Sequence, residues 1–135
     1  MTTEDKLLLV QDLCARLPYG VQVQHTTTKI NGPLHDIIVY PLYKKGGDIY
    51  DIDAVTDFFG ECDYVYLEYF KPYLFPLTYE VLSTIGNEKW CIAINTNGDI
   101  ATTAEGYDWL NAHHYDYRNL IKKGLAIDCT NLNIY

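Results

Sequence analysis

Valine alternates with glutamine at Val21, Gln22, Val23 and Gln24, and the same period returns where Val65 and Leu67 alternate with Tyr64, Tyr66 and Glu68. A period of two puts successive side chains on opposite faces of an extended chain, so each segment has one face that must be covered. The turn signal at residues 30–33 (INGP) separates the first segment from a second apolar run, residues 34–42 (LHDIIVYPL), and predicts an antiparallel hairpin. A sheet with an apolar face needs a second layer.

The opening segment supplies that layer. Thr2 with Asp5 forms a capping box, and Val10, Leu13, Cys14 and Leu17 make an apolar stripe that Pro18 and Gly20 bring to an end. At 135 residues, 48% hydrophobic and 21% charged, the chain suits one globular domain spanning residues 1–135. Further along, Ala54, Val55, Phe58 and Phe59 suit one or two helical turns, and two prolines make residues 72–76 (PYLFP) an extended segment outside any ladder. Thr78 caps a short helix that Gly86 stops, residues 89–94 (KWCIAI) read as a strand, and residues 95–99 (NTNGD) read as a turn.

The closing stretch has the clearest punctuation. Thr103 caps a helix through Trp109 and Leu110 that finishes at His113 and His114. Asp116 then opens a second helix whose Lys122 and Lys123 sit at the negative end of its dipole, with Gly124 just beyond. An edge strand follows at residues 125–129 (LAIDC). The expected fold is therefore α+β: an antiparallel sheet of about four or five strands, with an N-terminal helix and a C-terminal two-helix corner over one face.

The formal charge of -8 opposes a nucleic-acid role, because clustered Lys and Arg supply most non-specific affinity for phosphate backbones. Residues 46–70 hold Asp48, Asp51, Asp53, Asp57, Glu61, Asp63 and Glu68 with no Lys or Arg among them, a surface suited to a basic partner. Cys14, Cys62, Cys91 and Cys129 are widely spaced, without a CxxC pair or a secretory signal, which predicts reduced, mostly buried thiols in a cytoplasm. The apolar run near the N-terminus is too short for a bilayer, so no membrane role is expected.

Adjacent imidazoles at His113 and His114 are the sharpest polar feature. Neighbours on a helix diverge by about 100°, no recognised spacing adds further ligands, and no metal or other cofactor is expected. Thiol catalysis lacks an activating motif. The thirteen tyrosines weigh more, since Tyr offers a large rigid area with a polar tip. Tyr40, Tyr43, Tyr50, Tyr64, Tyr66, Tyr69 and Tyr73 cluster among the acids. The favoured function is a non-enzymatic protein that binds another protein through this surface, with Tyr64, Tyr66, Glu68 and Tyr73 as contacts. The alternative is a small-ligand binder or enzyme at the corner, where Arg118 holds an anionic group, a histidine of the His113 and His114 pair moves protons, and Asp116 and Tyr117 complete the site.

At KPYLFPLT and DWLNAHHYDYRNLIKKGLAIDCTNLNIY the sequence resembles small proteins encoded by prophages and mobile elements of gut anaerobic bacteria. Asp108, Trp109, Leu110, Asn111, His113, His114, Asp116, Tyr117, Arg118, Leu120, Ile121, Gly124 and Leu125 stand where that pattern has them. The likeness covers about the last third of the chain and the 71–77 segment. Phe75 stands where the group often has arginine. The resemblance implies a setting and no mechanism.

Overall fold

The computed structural model describes residues 1–44, 47–56, 63–85, 93–94 and 100–135, with side chains described outside 39–51, 84–85 and 94. They cluster into two compact units, Met1–Pro72 and Tyr73–Tyr135.

The first unit begins with α1 (Thr3–Arg16), capped reciprocally as its sequence predicts: the Asp5 amide donates to Thr2 Oγ1 at 3.1 Å and the Thr2 amide to Asp5 Oδ2 at 3.3 Å. Its buried face differs from the expected stripe. Leu9, Asp12, Leu13 and Arg16 are buried, whereas Cys14 is exposed and Val10 and Leu17 are half-buried. Hydropathy alone skips Asp12 and Arg16, yet they enter the core as a pair: Arg16 Nε meets Asp12 Oδ2 at 2.7 Å and Nη2 meets Oδ1 at 3.0 Å, both side chains fully buried. The two-pronged geometry offsets the desolvation that either charge alone would suffer.

The hairpin forms as expected. β1 (Gln22–His25) pairs antiparallel with β2 (Asn31–Lys44), Val23 opposite Gly32, and Val21 and Val23 are fully buried. The predicted helical turns at Ala54 and Val55 are absent. They lie in β3 (Gly47–Thr56), antiparallel to β2 with a register shift between Leu34 and Asp36. Ile52, Ala54, Val55 and Thr56 are all buried, so both faces are covered at the end of the strand, and such a run has no period to separate strand from helix. Phe58 and Phe59 lie outside the described residues. β4 (Asp63–Tyr66) adds to β3 with Val65 buried, and a 3-10 turn at Leu67–Tyr69 leads into β5 (Phe70–Pro76), whose first residues pair antiparallel with β1.

The second unit is organised around residues 73–76 of β5. They pair in parallel with β8 (Tyr115–Asp116) and β9 (Ile127–Asp128), so the proline-bracketed segment is a ladder strand after all. Pro72 and Pro76 share one parity, which removes donors from one edge only, and the Phe75 amide donates to the His114 carbonyl at 2.8 Å. β9 matches the strand predicted at residues 125–129. In the first unit the ladder order is β4-β3-β2-β1-β5, and in the second β8 and β9 both pair with β5, so seven strands of mixed direction stand in place of four or five antiparallel ones. A two-residue hairpin, β6 (Ala93–Ile94) with β7 (Ile100–Ala101), flanks the predicted NTNGD turn, which lies outside the described residues.

α2 (Tyr79–Ile85) has the predicted Thr78 cap, with the Val81 amide on Thr78 Oγ1 at 3.2 Å. α3 (Ala104–Ala112) has its Thr103 cap, with the Gly106 amide on Thr103 Oγ1 at 3.1 Å. Leu82 and Leu110 centre a core against which Leu77, Ile100, Tyr107, Trp109, Tyr115 and Tyr117 pack. The second helix of the corner does not form: residues 117–126 run as bends and turns. Asn119 turns left-handed at φ +58°, which stops a helix from starting at Asp116, and only one turn survives before Gly124. Gly124, at φ +74°, closes that turn: its amide donates to Ile121 O and the Leu125 amide to Leu120 O, the double bond of a glycine C-cap. No helix among the described residues is long and apolar enough to cross a membrane.

Candidate functional site

The corner of the second unit is built from the end of α3. His113 is the C-cap and stays exposed; its Nδ1 donates to the Trp109 carbonyl at 2.9 Å and its ring stacks on Trp109 at 4.1 Å. His114 follows at φ +62°, a left-handed residue that swings the chain from helix into β8. The two imidazoles stack on different partners, Trp109 and Tyr135. His114 is buried and lies flat on Tyr135, with ring centroids 3.7 Å apart.

Asp116 is buried and acts on the backbone. Its Oδ1 accepts from the amides of Arg118 at 3.2 Å and Leu120 at 3.0 Å, and its Oδ2 from Ile121 at 2.9 Å. It therefore organises the following loop, as a capping residue does, without the helix. Tyr117 donates its hydroxyl to Asn111 Oδ1 at 2.9 Å and packs on Tyr107. The Arg118 guanidinium lies 4.9 Å from the Tyr117 ring centroid, with Nη2 3.4 Å from the Tyr117 hydroxyl. Among the described residues no group of three His, Cys, Asp or Glu side chains comes together. A cavity of about 340 Å³ opens beside Phe75, Pro76, Thr78, Val81, Tyr115 and Thr130, a lining without His113, His114, Asp116 or Arg118.

The central acidic segment gives a different picture in the first unit. Tyr64, Tyr66 and Tyr69 are exposed at 62%, 53% and 47%, while Val65 and Leu67 between them are buried, so the alternation read from the sequence is realised. Tyr66 and Tyr69 lie 6.3 Å apart, and His25 stacks on Tyr69 at 6.4 Å. Asp53 stands opposite Tyr66 in the β3–β4 ladder, and Glu68 is exposed with Lys6 Nζ 2.6 Å away. Tyr73, expected as a contact, is 2% exposed and buried in the second unit, where its carbonyl accepts the Tyr135 hydroxyl at 2.8 Å. In the sequence Tyr73 reads as one more tyrosine of the cluster, and the strand that pairs with it, β9, lies far along the chain. The side chains of Tyr40, Tyr43 and Tyr50 lie outside the described residues.

Cys14 and Cys129 are free thiols, the first exposed and the second buried. Burial, and secondarily the Asp128 charge, pushes the Cys129 thiol up to about 11 despite an opposing backbone hydrogen bond. Partial desolvation of its sulfur, then the Asp36 charge, raises Cys14. Neither is an activated nucleophile. No family model, curated protein or solved structure matches this chain.

Proposed function

We propose that the chain is a non-enzymatic accessory protein of a prophage or mobile element that binds another protein through the acidic tyrosine face of β4 and the turn after it. The carrying observation is the exposure of Tyr64, Tyr66 and Tyr69 within six residues, on β4 and the turn after it, while Val65 and Leu67 between them are buried. Exposed tyrosines offer large contact area at low entropic cost, and the surrounding carboxylates and the net charge of -8 select a basic partner. The setting in prophages comes from the resemblance of the closing motif.

The test is a tagged pull-down from cells that carry the gene, comparing the natural chain with a Tyr64→Ala/Tyr66→Ala variant. A stoichiometric partner that is released by salt and lost in the variant supports the reading. Identical captures by both chains sink it.

A further inference from the structure

The cavity beside Phe75 is walled by four separate segments of the second unit. Phe75 and Pro76 come from the end of β5, Thr78 and Val81 from the cap and first turn of α2, Tyr115 from β8, and Thr130 from the turn after β9. Backbone bonds fix three of these walls to one another. The parallel ladder sets Phe75 opposite Tyr115, the Phe75 amide donates to the His114 carbonyl at 2.8 Å, and the Cys129 amide donates to the Leu74 carbonyl at 3.0 Å. The Val81 amide on Thr78 Oγ1, at 3.2 Å, shapes the fourth. A concave site held by backbone bonds keeps its form without help from a ligand.

Volume and lining restrict what fits. At about 340 Å³ the cavity has roughly twice the volume of one known to hold benzene, which is room for one or two fused rings. The Phe75 and Tyr115 rings stand 5.9 Å apart with their planes inclined at 48°. A flat ring stacked on one of them therefore meets the other at an angle, and both are favourable aromatic geometries. Pro76 and Val81 add aliphatic surface.

Charge is the other restriction. Among the described residues the lining carries no charged side chain, and both of its hydroxyls serve local turns: Thr78 accepts the Val81 amide and Thr130 donates to Asp128. An ion placed here would lose hydration without meeting a counter-charge. A neutral aromatic molecule gives up little hydration and takes apolar wall out of water.

We infer that this cavity is a binding site for a small, uncharged, flat aromatic molecule of one or two fused rings. The inference goes beyond the acidic tyrosine face, which lies in the first unit, and stands or falls without it.

The experiment is an amide NMR titration of the full chain with indole, with cyclohexanol as the saturated ring and with indole carboxylate as the charged one. Indole shifts the amides of Phe75, Val81, Tyr115 and Thr130 saturably, and it binds roughly tenfold or more tightly than either control. Val81→Trp fills the space from α2 and Thr130→Phe fills it from the turn after β9. Each weakens indole roughly tenfold while the rest of the amide spectrum keeps its native pattern, and either variant carries the comparison if the other fails to fold. Equal affinity for cyclohexanol overturns the aromatic class, and equal affinity for the carboxylate overturns the neutral one. Shifts centred on Tyr64, Tyr66 and Tyr69, or indole binding unchanged in the folded filled variants, overturn the site itself. So does the absence of any saturable shift, which would show that the chain fills the space on its own.

Discussion

His114 lies flat against Tyr135, ring centroids 3.7 Å apart and planes 9° from parallel, and the same tyrosine donates its hydroxyl to the Tyr73 carbonyl at 2.8 Å. One side chain thus fastens the end of α3 to β5. Tyr135→Phe keeps the ring and removes the hydrogen bond, a loss of roughly 1 kcal/mol. Tyr135→Ala removes both, roughly 2 kcal/mol for a side chain that stays 43% exposed. Urea unfolding of the two variants separates the contributions, and equal losses would show that the stack adds nothing.

At His114 the backbone and the ring make separate demands. Its φ of +62° suits glycine and asparagine and opposes β-branched residues. His114→Val therefore costs more than His114→Asn, by about 1 kcal/mol or more, although both lose the stack. Thermal melts of the pair check it.

The Asp12–Arg16 pair is fully buried, so each partner depends on the other. Asp12→Leu or Arg16→Met alone leaves a buried charge and costs about 3–5 kcal/mol. The double variant recovers most of that loss, because desolvation of both charges disappears with their attraction. A double-mutant cycle measures the coupling; additive losses would contradict the pairing.

Asp116→Ala strands the amides of Leu120 and Ile121 and costs roughly 3 kcal/mol. Gly124→Ala meets no neighbouring atom within 4 Å, so its cost is the left-handed backbone alone, about 1 kcal/mol. Hydrogen exchange at those two amides rises in the first variant and changes little in the second.

Cys129 gives a pH signature. Its thiol holds its proton to about 11 when folded, against 9.0 in the unfolded chain. Unfolding therefore releases a proton between those values, and stability falls as pH rises through that window. Cys129→Ala flattens this part of the stability profile relative to the natural chain. Below pH 9 the two profiles run parallel.

What could be read in advance followed from local chemistry. Thr2, Thr78 and Thr103 cap helices because their hydroxyls reach amides a few residues away, and Gly124 closes a turn because its backbone tolerates a positive φ. These signals are complete within a short window. The burial of Asp12 and Arg16 was hidden, since each looks solvent-facing until the other neutralises it. The missing second helix depended on Asn119 adopting a left-handed conformation, and no motif announces that choice. β3 was ambiguous because both of its faces are covered, and β5 because its two prolines conceal a strand whose partners are distant. For the candidate sites, the exposed Tyr64 and Tyr66 were legible from the period of two, whereas Tyr73 is buried in a strand whose β8 and β9 partners lie far along the chain.

That long-range pairing also sets the order in which the polypeptide can mature. β5 is synthesised well before Ile127 and Tyr135, which lies 62 residues beyond Tyr73, so the emerging strand waits without β8 and β9 until those residues follow. Until then Tyr73 and Leu74 face water. The second unit therefore completes its parallel pairings only after Ile127 and Tyr135 have emerged, and a product truncated before them is the form most exposed to proteases and to chaperone capture.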